Sequence, residues 1–266
     1  MPLSALLAAN LRMILRDRIL HAVLGVAALL LCLVPSLSGF SMRQVQELAV
    51  TLSLSAISLV LLVTTLLLGT SSIWRDVERR YTAAILTLPV SRTTYLLGKY
   101  CAIALFLIVC GIILAVAAAL VITLAAAQYP SDLPIAWGNI LLAIVADVVK
   151  FLLLASLAML FSTVSTSFFL PFFGTLAIYL AGSASQEVYE YVTGQFGNEL
   201  SRLFLAAAKG AYYLLPNFSA FNFKIYAVYA LPLPLTSIVL PVVYAAVYSG
   251  LALGLAVWAL NRRELP

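Results

Sequence analysis

Not one residue between positions 101 and 127 carries a charge, and nearly all of them are apolar. A helix crosses the roughly 30 Å of bilayer hydrocarbon with about 20 such residues, so this stretch alone suffices. Further runs of the same kind lie at 21–40, 48–73, 135–161, 168–185 and 235–260. The other backbone arrangement that satisfies every N–H and C=O in lipid is a closed β-barrel, whose strands alternate apolar and polar residues. These runs are continuous. The expectation is an all-α integral membrane protein with six transmembrane helices in a single domain, 1–266. Composition agrees, since 64% of the 266 residues are hydrophobic and 9% charged, against about 25% charged in soluble domains. So few charges cannot cover a water-soluble globule, which sets aside soluble enzymes, nucleic-acid modules and secreted disulfide scaffolds. Cys32, Cys101 and Cys110 lie inside apolar runs and read as small buried hydrophobes. The first run has no small-residue cleavage pattern after it, so no cleavable leader is expected.

Lys and Arg accumulate on the cytoplasmic side of membrane proteins. With the N-terminus inside, Arg12, Arg16, Arg18, Arg75, Arg79, Arg80, Arg92, Lys99, Arg262 and Arg263 face the cytoplasm, and only Arg43, Arg202, Lys209 and Lys224 lie outside. Both termini are therefore expected in the cytoplasm. The same bias explains the net charge of +5 without a nucleic-acid partner.

Three segments are not spans. In 1–18, Leu3, Leu6, Leu7, Leu11, Ile14 and Leu15 form one stripe with Arg12 and Arg16 opposite, the pattern of an amphipathic helix lying in the membrane interface. The external segment 186–234 is dense in Tyr and Phe, which settle at headgroup level, and reads as short helices dipping back toward the membrane. In 74–92, Trp74, Val77, Tyr81, Ile85 and Leu88 follow steps of three and four. There Asp76 is spaced to pair with Arg80, Pro89 stops the helix, and Ser91 is placed to cap the next one. An amphipathic helix with a basic flank docks on another protein or rests on anionic membrane lipid; pattern alone leaves both open.

The run from Glu78 through Arg79, Arg80, Tyr81, Thr82, Leu86, Pro89, Val90, Ser91 and Arg92 to Gly98 and Lys99 resembles the signature of permease subunits of ABC-2-type transporters, with Tyr81 where that family usually has Gly. The resemblance implies that 74–92 is a coupling helix seated in a groove of a separate ABC ATPase subunit, through Arg75, Glu78, Arg79, Arg80, Tyr81, Thr82, Leu86, Pro89 and Arg92. It also implies a second permease copy or a sister permease, an exporter's role, and a bacterial plasma membrane. Leu215, Pro216, Asn217, Phe218 and Phe221 resemble the external turn of a subfamily that includes the nitrous oxide reductase maturation permease and several sodium, antibiotic and peptide exporters. ATP and Mg would belong to the partner, with no cofactor in this chain. The chain's own Gly98-Lys99 agrees, since Thr93 stands where a phosphate loop needs Gly.

Inside the spans, Thr51, Ser55, Ser58, Thr65, Gly69 and Ser72 form a small, hydroxylated stripe. Two readings stand for it: a translocation path, or close helix packing through small residues. Asp147 and Lys150 are expected to be the only charges well inside a span, at a spacing that lets them pair. Each alone costs about 2.5–3.5 kcal/mol at the bilayer centre, so the pair is either a structural lock or a gate. His21 is the sole histidine, which leaves no multi-histidine metal site, and an interfacial anchor is the simpler role. Pro35, Pro171 and Pro241 are expected to kink their helices. An intramembrane protease or transferase fails on inventory, lacking paired aspartates, a zinc helix or a Ser–His pair at depth. The alternative to a permease is a non-transporting membrane scaffold or assembly factor.

Overall fold

The computed structural model describes residues 3–41, 44–78, 91–128, 134–194 and 201–262, with no strand among them. The helices are α1 (Leu3–Leu15), α2 (Arg18–Ser38), α3 (Val45–Glu78), α4 (Arg92–Gln128), α5 (Trp137–Val164), α6 (Phe169–Thr193), α7 (Arg202–Leu214), α8 (Lys224–Val228) and α9 (Leu235–Arg262). Three begin with side-chain caps that satisfy otherwise orphaned amides. Asp17 accepts from the Ile19 amide at 3.0 Å, Ser91 from Thr94 at 3.1 Å and Ser201 from Phe204 at 3.3 Å. The Ser91 cap is the one expected from the sequence.

Five helices, α2, α3, α4, α5 and α9, are long and apolar enough to cross a membrane. The sixth expected span is helical as α6, but it runs on past 185 to Thr193, so part of the expected external segment is its continuation. Contacts show that α6 traverses the bundle from end to end. At one end Phe168, just before its first turn, lies 5.6 Å ring to ring from Trp74 of α3. At the other end the Ser183 carbonyl accepts the Ser219 hydroxyl at 2.6 Å.

One end of the bundle gathers the start of α2, the end of α3, the start of α4 and the end of α9. There Arg75 pairs with Asp17, and Arg92 donates to the Leu260 carbonyl at 2.8 Å. The helix α1 lies across this end against α4, and a Cβ on Gly98 would collide with the Leu6 side chain. We call this the elbow end.

The core sits where α3, α4 and α5 meet, around Leu54, Leu61, Leu107, Phe151, Leu154 and Met159. The central helix is α5, with 72% of its most apolar stretch buried, against 22% for α2 and 17% for α9. Small residues permit this. A Cβ on Gly69 of α3 would lie 2.6 Å from the Ala158 Cβ of α5, so the backbones approach as closely as membrane helices do through Gly and Ala. The outward face of α4, Leu105, Ile112, Val116, Leu120 and Leu124 among others, stays exposed and apolar, as lipid contact requires.

Several expectations change. Trp74 to Glu78 do not open a separate helix but continue α3 without a break. At 34 and 37 residues, α3 and α4 measure about 51 and 55 Å at 1.5 Å per residue, so both overhang a 30 Å hydrocarbon layer. Pro171 falls in the first turn of α6, where its missing N–H costs no helical bond, while Pro35 and Pro241 lie inside their helices. Cys32 is exposed rather than buried.

Candidate functional site

At the elbow end, two ion pairs fix the stems on either side of residues 79–90. Asp76 of α3 and Lys99 of α4 lie 2.6 Å apart with 3% and 5% of their surface exposed. Tyr95 donates its hydroxyl to the same carboxylate at 2.5 Å, and Lys99 also donates to the Ser72 carbonyl. Two buried charges that are paired and further hydrogen-bonded escape the penalty of a lone buried ion. Asp76 was expected to pair with Arg80 one turn on. Arg80 lies outside the described residues, and within them Asp76 also reaches inward to Lys99 and Tyr95 of α4, which starts beside the end of α3. The second pair, Arg75 with Asp17, ties α3 to the turn between α1 and α2. Burial raises the Asp17 pKa, but the Arg75 guanidinium and the Ile19 amide outweigh it and hold the carboxyl below its ordinary value. His21 donates from Nδ1 to the Asp17 carbonyl at 2.7 Å, so the lone histidine braces this turn. Both pairs line one small cavity with Asn10, Met13 and Ser71.

Of the residues expected to couple to an ATPase, Arg75 and Arg92 are the ones with described side chains. Arg75 sits in the latch above, and Arg92 joins α4 to α9. Arg79, Arg80, Tyr81, Thr82, Leu86 and Pro89 lie outside the described residues, as does the Glu78 side chain. Trp74, the first residue of the expected docking stripe, packs against Phe168 within the chain.

Deeper in the bundle, Lys150 bonds to Asp147 one turn away on α5, as their spacing suggested. Its Nζ lies 3.5 Å from Ser58 Oγ on α3 and 4.7 Å from the centre of the Phe151 ring. These charges are not alone within the spanning helices, since Asp76 and Lys99 are equally buried. Lys224, expected simply outside, stands at the start of α8, which packs against α3 and α5. Burial depresses its pKa, the Asp147 charge offsets part of this, and the Lys150 charge adds to it. Lys150 is thus the ion-pair partner of Asp147, and Lys224 feels the charge of both.

The hydroxylated stripe divides by surroundings. Ser58, Thr65 and Gly69 are covered by neighbouring helices, Thr51 and Ser72 are half-buried, and Ser55 is exposed. Thr65 is fully buried and its hydroxyl has no hydrogen-bond partner among the described residues. Thr51 and Ser72 bond back to Glu47 and Gly69 carbonyls of their own helix.

At the far end, the turn at 215–218 is seated on α6. Gly182 is required there, because a Cβ would meet the Pro216 carbonyl and the Phe218 ring. Asn217 donates to Gln186 at 2.9 Å and its amide donates to the Tyr244 hydroxyl of α9 at 3.1 Å. Asn139 at the start of α5 donates to the Tyr226 and Leu231 carbonyls, both at 2.9 Å, closing α8 onto the bundle.

Among curated proteins, none matches the chain. A family model described as ABC-2 family transporter protein, by contrast, matches residues 4–265. A short apolar N-terminal helix, paired stems and a bundle of membrane-length helices are thus found together in a chain that this match covers almost completely: the protein belongs to the ABC-2 transporter family, as the membrane-spanning permease component of an ABC transporter.

Proposed function

We propose that an ABC ATPase subunit docks on residues 79–90 and their stems, and that the permease works as an exporter with a second copy or a sister permease. The two termini and the docking segment face the cytoplasm of a bacterial cell, with α6 as the sixth crossing. What supports this reading is the buried Asp76–Lys99–Tyr95 contact, which ties together the two stems that flank residues 79–90. A push on that segment moves α3 and α4 as one body, the kind of rigid displacement that switches a bundle between two states. The sequence's excess of Lys and Arg in the segments assigned to the cytoplasm, ten against four in the outer segments, supports this orientation. ATP and Mg stay with the partner. Export draws its support from the external turn at 215–218, which resembles that of exporters.

The test is co-purification with candidate ATPase subunits, comparing the wild type with a variant carrying Glu78→Lys, Arg79→Glu and Arg80→Glu. The expected result is stoichiometric capture by the wild type and loss of capture by the folded variant. Equal capture by both would move the docking site elsewhere. A folded wild type that captures no ATPase would leave the chain a scaffold without a motor.

A further inference from the structure

The last helix, α9, is tied to other elements at both ends. At the elbow end, Arg92 Nη1 donates to the Leu260 carbonyl at 2.8 Å and to the Asn261 carbonyl at 3.2 Å. Both carbonyls lie in the final turn of α9, where no amide of the same helix is left to bond them. A cation there also meets the negative end of the helix dipole. Arg92 is the first residue of α4, directly after residues 79–90 and the cap Ser91. Toward the far end, the Tyr248 hydroxyl donates to the carbonyl of Leu214, the last residue of α7, at 2.8 Å. One turn earlier, the Tyr244 hydroxyl accepts the Asn217 amide of the turn at 215–218. From Tyr244 to Leu260 the helix contains no proline and measures about 24 Å at 1.5 Å per residue. Its apolar stretch is the least covered of the five long helices and lies mainly against α5. Apolar contact is non-directional, whereas hydrogen bonds to fixed carbonyls set where each end sits.

We propose that Arg92 is a positioning residue and α9 a connecting rod, so that the stem following residues 79–90 is linked through the Arg92 guanidinium to the far-end turn at 215–218. The role implied for Arg92, contact with an ATPase, gives way to one inside the chain. The start of α4 cannot shift without drawing the end of α9 with it, and Tyr248 and Tyr244 pass that shift to the end of α7 and the turn. The linkage itself does not depend on the proposed docking; what would drive it does.

Hydrogen exchange of the purified full-length protein in detergent reads the linkage without a partner. Arg92→Gln should speed exchange in 256–262 and also in 215–222, by about threefold or more, while α2 and the centre of α5 stay unchanged. Tyr248→Phe should loosen 215–222 and, with it, the last turn of α9, because coupling between two sites is reciprocal. Arg92→Lys keeps a donor for the helix-end carbonyls and should restore most of both effects. An effect of Arg92→Gln confined to 256–262 overturns the proposal, since a plain helix cap acts locally. So does a rise spread evenly over the molecule, which is a loss of overall stability. Co-purification separates this from the docking reading. Arg92→Gln should capture as much ATPase as the wild type, while the variant with Glu78→Lys, Arg79→Glu and Arg80→Glu loses capture. Loss of capture by Arg92→Gln with unchanged exchange returns Arg92 to the docking surface and overturns the rod. A wild type that captures no ATPase counts against docking alone, and the exchange result still decides the rod.

Discussion

Thr65 shows how a single side chain separates a packing role from a transport role. Its hydroxyl is buried between α3 and its neighbours with no partner among the described residues. Holding an unmade hydrogen bond away from water costs about 1–3 kcal/mol. Thr65→Val keeps the shape and removes the hydroxyl, so it should leave the thermal midpoint in detergent unchanged or raise it, by the equivalent of up to about 1 kcal/mol. If transport by the complex survives as well, the residue serves packing; loss of transport from an equally stable protein would place Thr65 on the path. Ala230 carries another local cost. It sits at φ 51°, in the left-handed region, where the Leu231 amide bonds back to the Tyr226 carbonyl at 3.2 Å. A six-to-one bond of that kind usually has Gly at the left-handed position, and Ala bears a strain of about 1 kcal/mol there.

Between helices, what holds the protein together is a small number of polar contacts set in apolar packing. Asp147 and Lys150 belong to α5 and Ser58 to α3, so this group of contacts joins two elements. Removing one partner of a buried pair costs about 3–5 kcal/mol, while replacing both by apolar residues is often neutral. Asp147→Asn should therefore lower stability by about that amount, because it leaves the buried Lys150 without its counter-charge. Adding Lys150→Met should restore most of the loss, and Lys224→Gln the rest, read from thermal unfolding of the purified variants. If the combined variant stays as unstable as Asp147→Asn alone, the cluster does more than satisfy itself. The contrast with Asp76 shows what a sequence discloses about such contacts. Spacing on one helix made the Asp147–Lys150 pair legible, because residues three apart share a face. The same reasoning points Asp76 toward Arg80, which lies outside the described residues, but says nothing of its contacts across helices. Its partners Lys99 and Tyr95 lie on another helix, and no periodicity within α3 carries that information. Helix ends were hard to place for a related reason. Apolar runs mark where hydrocarbon must be crossed, but α3 and α4 extend beyond it as helices whose polar ends look like loops.

For the molecule as a whole, most of the architecture was legible, since membrane thickness sets helix length and composition sets class. The long apolar helices, the short helix α1 and the short far-end helices follow from hydropathy and aromatic content. The joints between them do not, because each joins residues distant in sequence. The latch between α1 and α3 is the simplest to test. The Asp17 pKa lies below its ordinary value, so the pair contributes its stability above the unfolded carboxyl's pKa of about 3.9 and loses it only as pH falls through the lower folded value. Hydrogen exchange of α1, corrected for its intrinsic pH dependence, should then be flat from about pH 5 to 9. Asp17→Asn should speed it throughout that range. A wild-type rise near pH 6 would assign the latch to another titrating group.

The tight crossing at Gly69 has a mechanical consequence. It places a tight contact of α3 with α5 well toward one end of a long rod. From Gly69 to Glu78 the rod measures about 14 Å, and from Gly69 back to Val45 about 36 Å, at 1.5 Å per residue. A stiff helix pivoting at that crossing is an unequal lever whose short arm carries the end next to residues 79–90. Each ångström of travel at Glu78 then becomes about 2.6 Å at the opposite tip. A rod rocking about that contact would trade force for stroke, a small travel at one tip giving a wider one at the other.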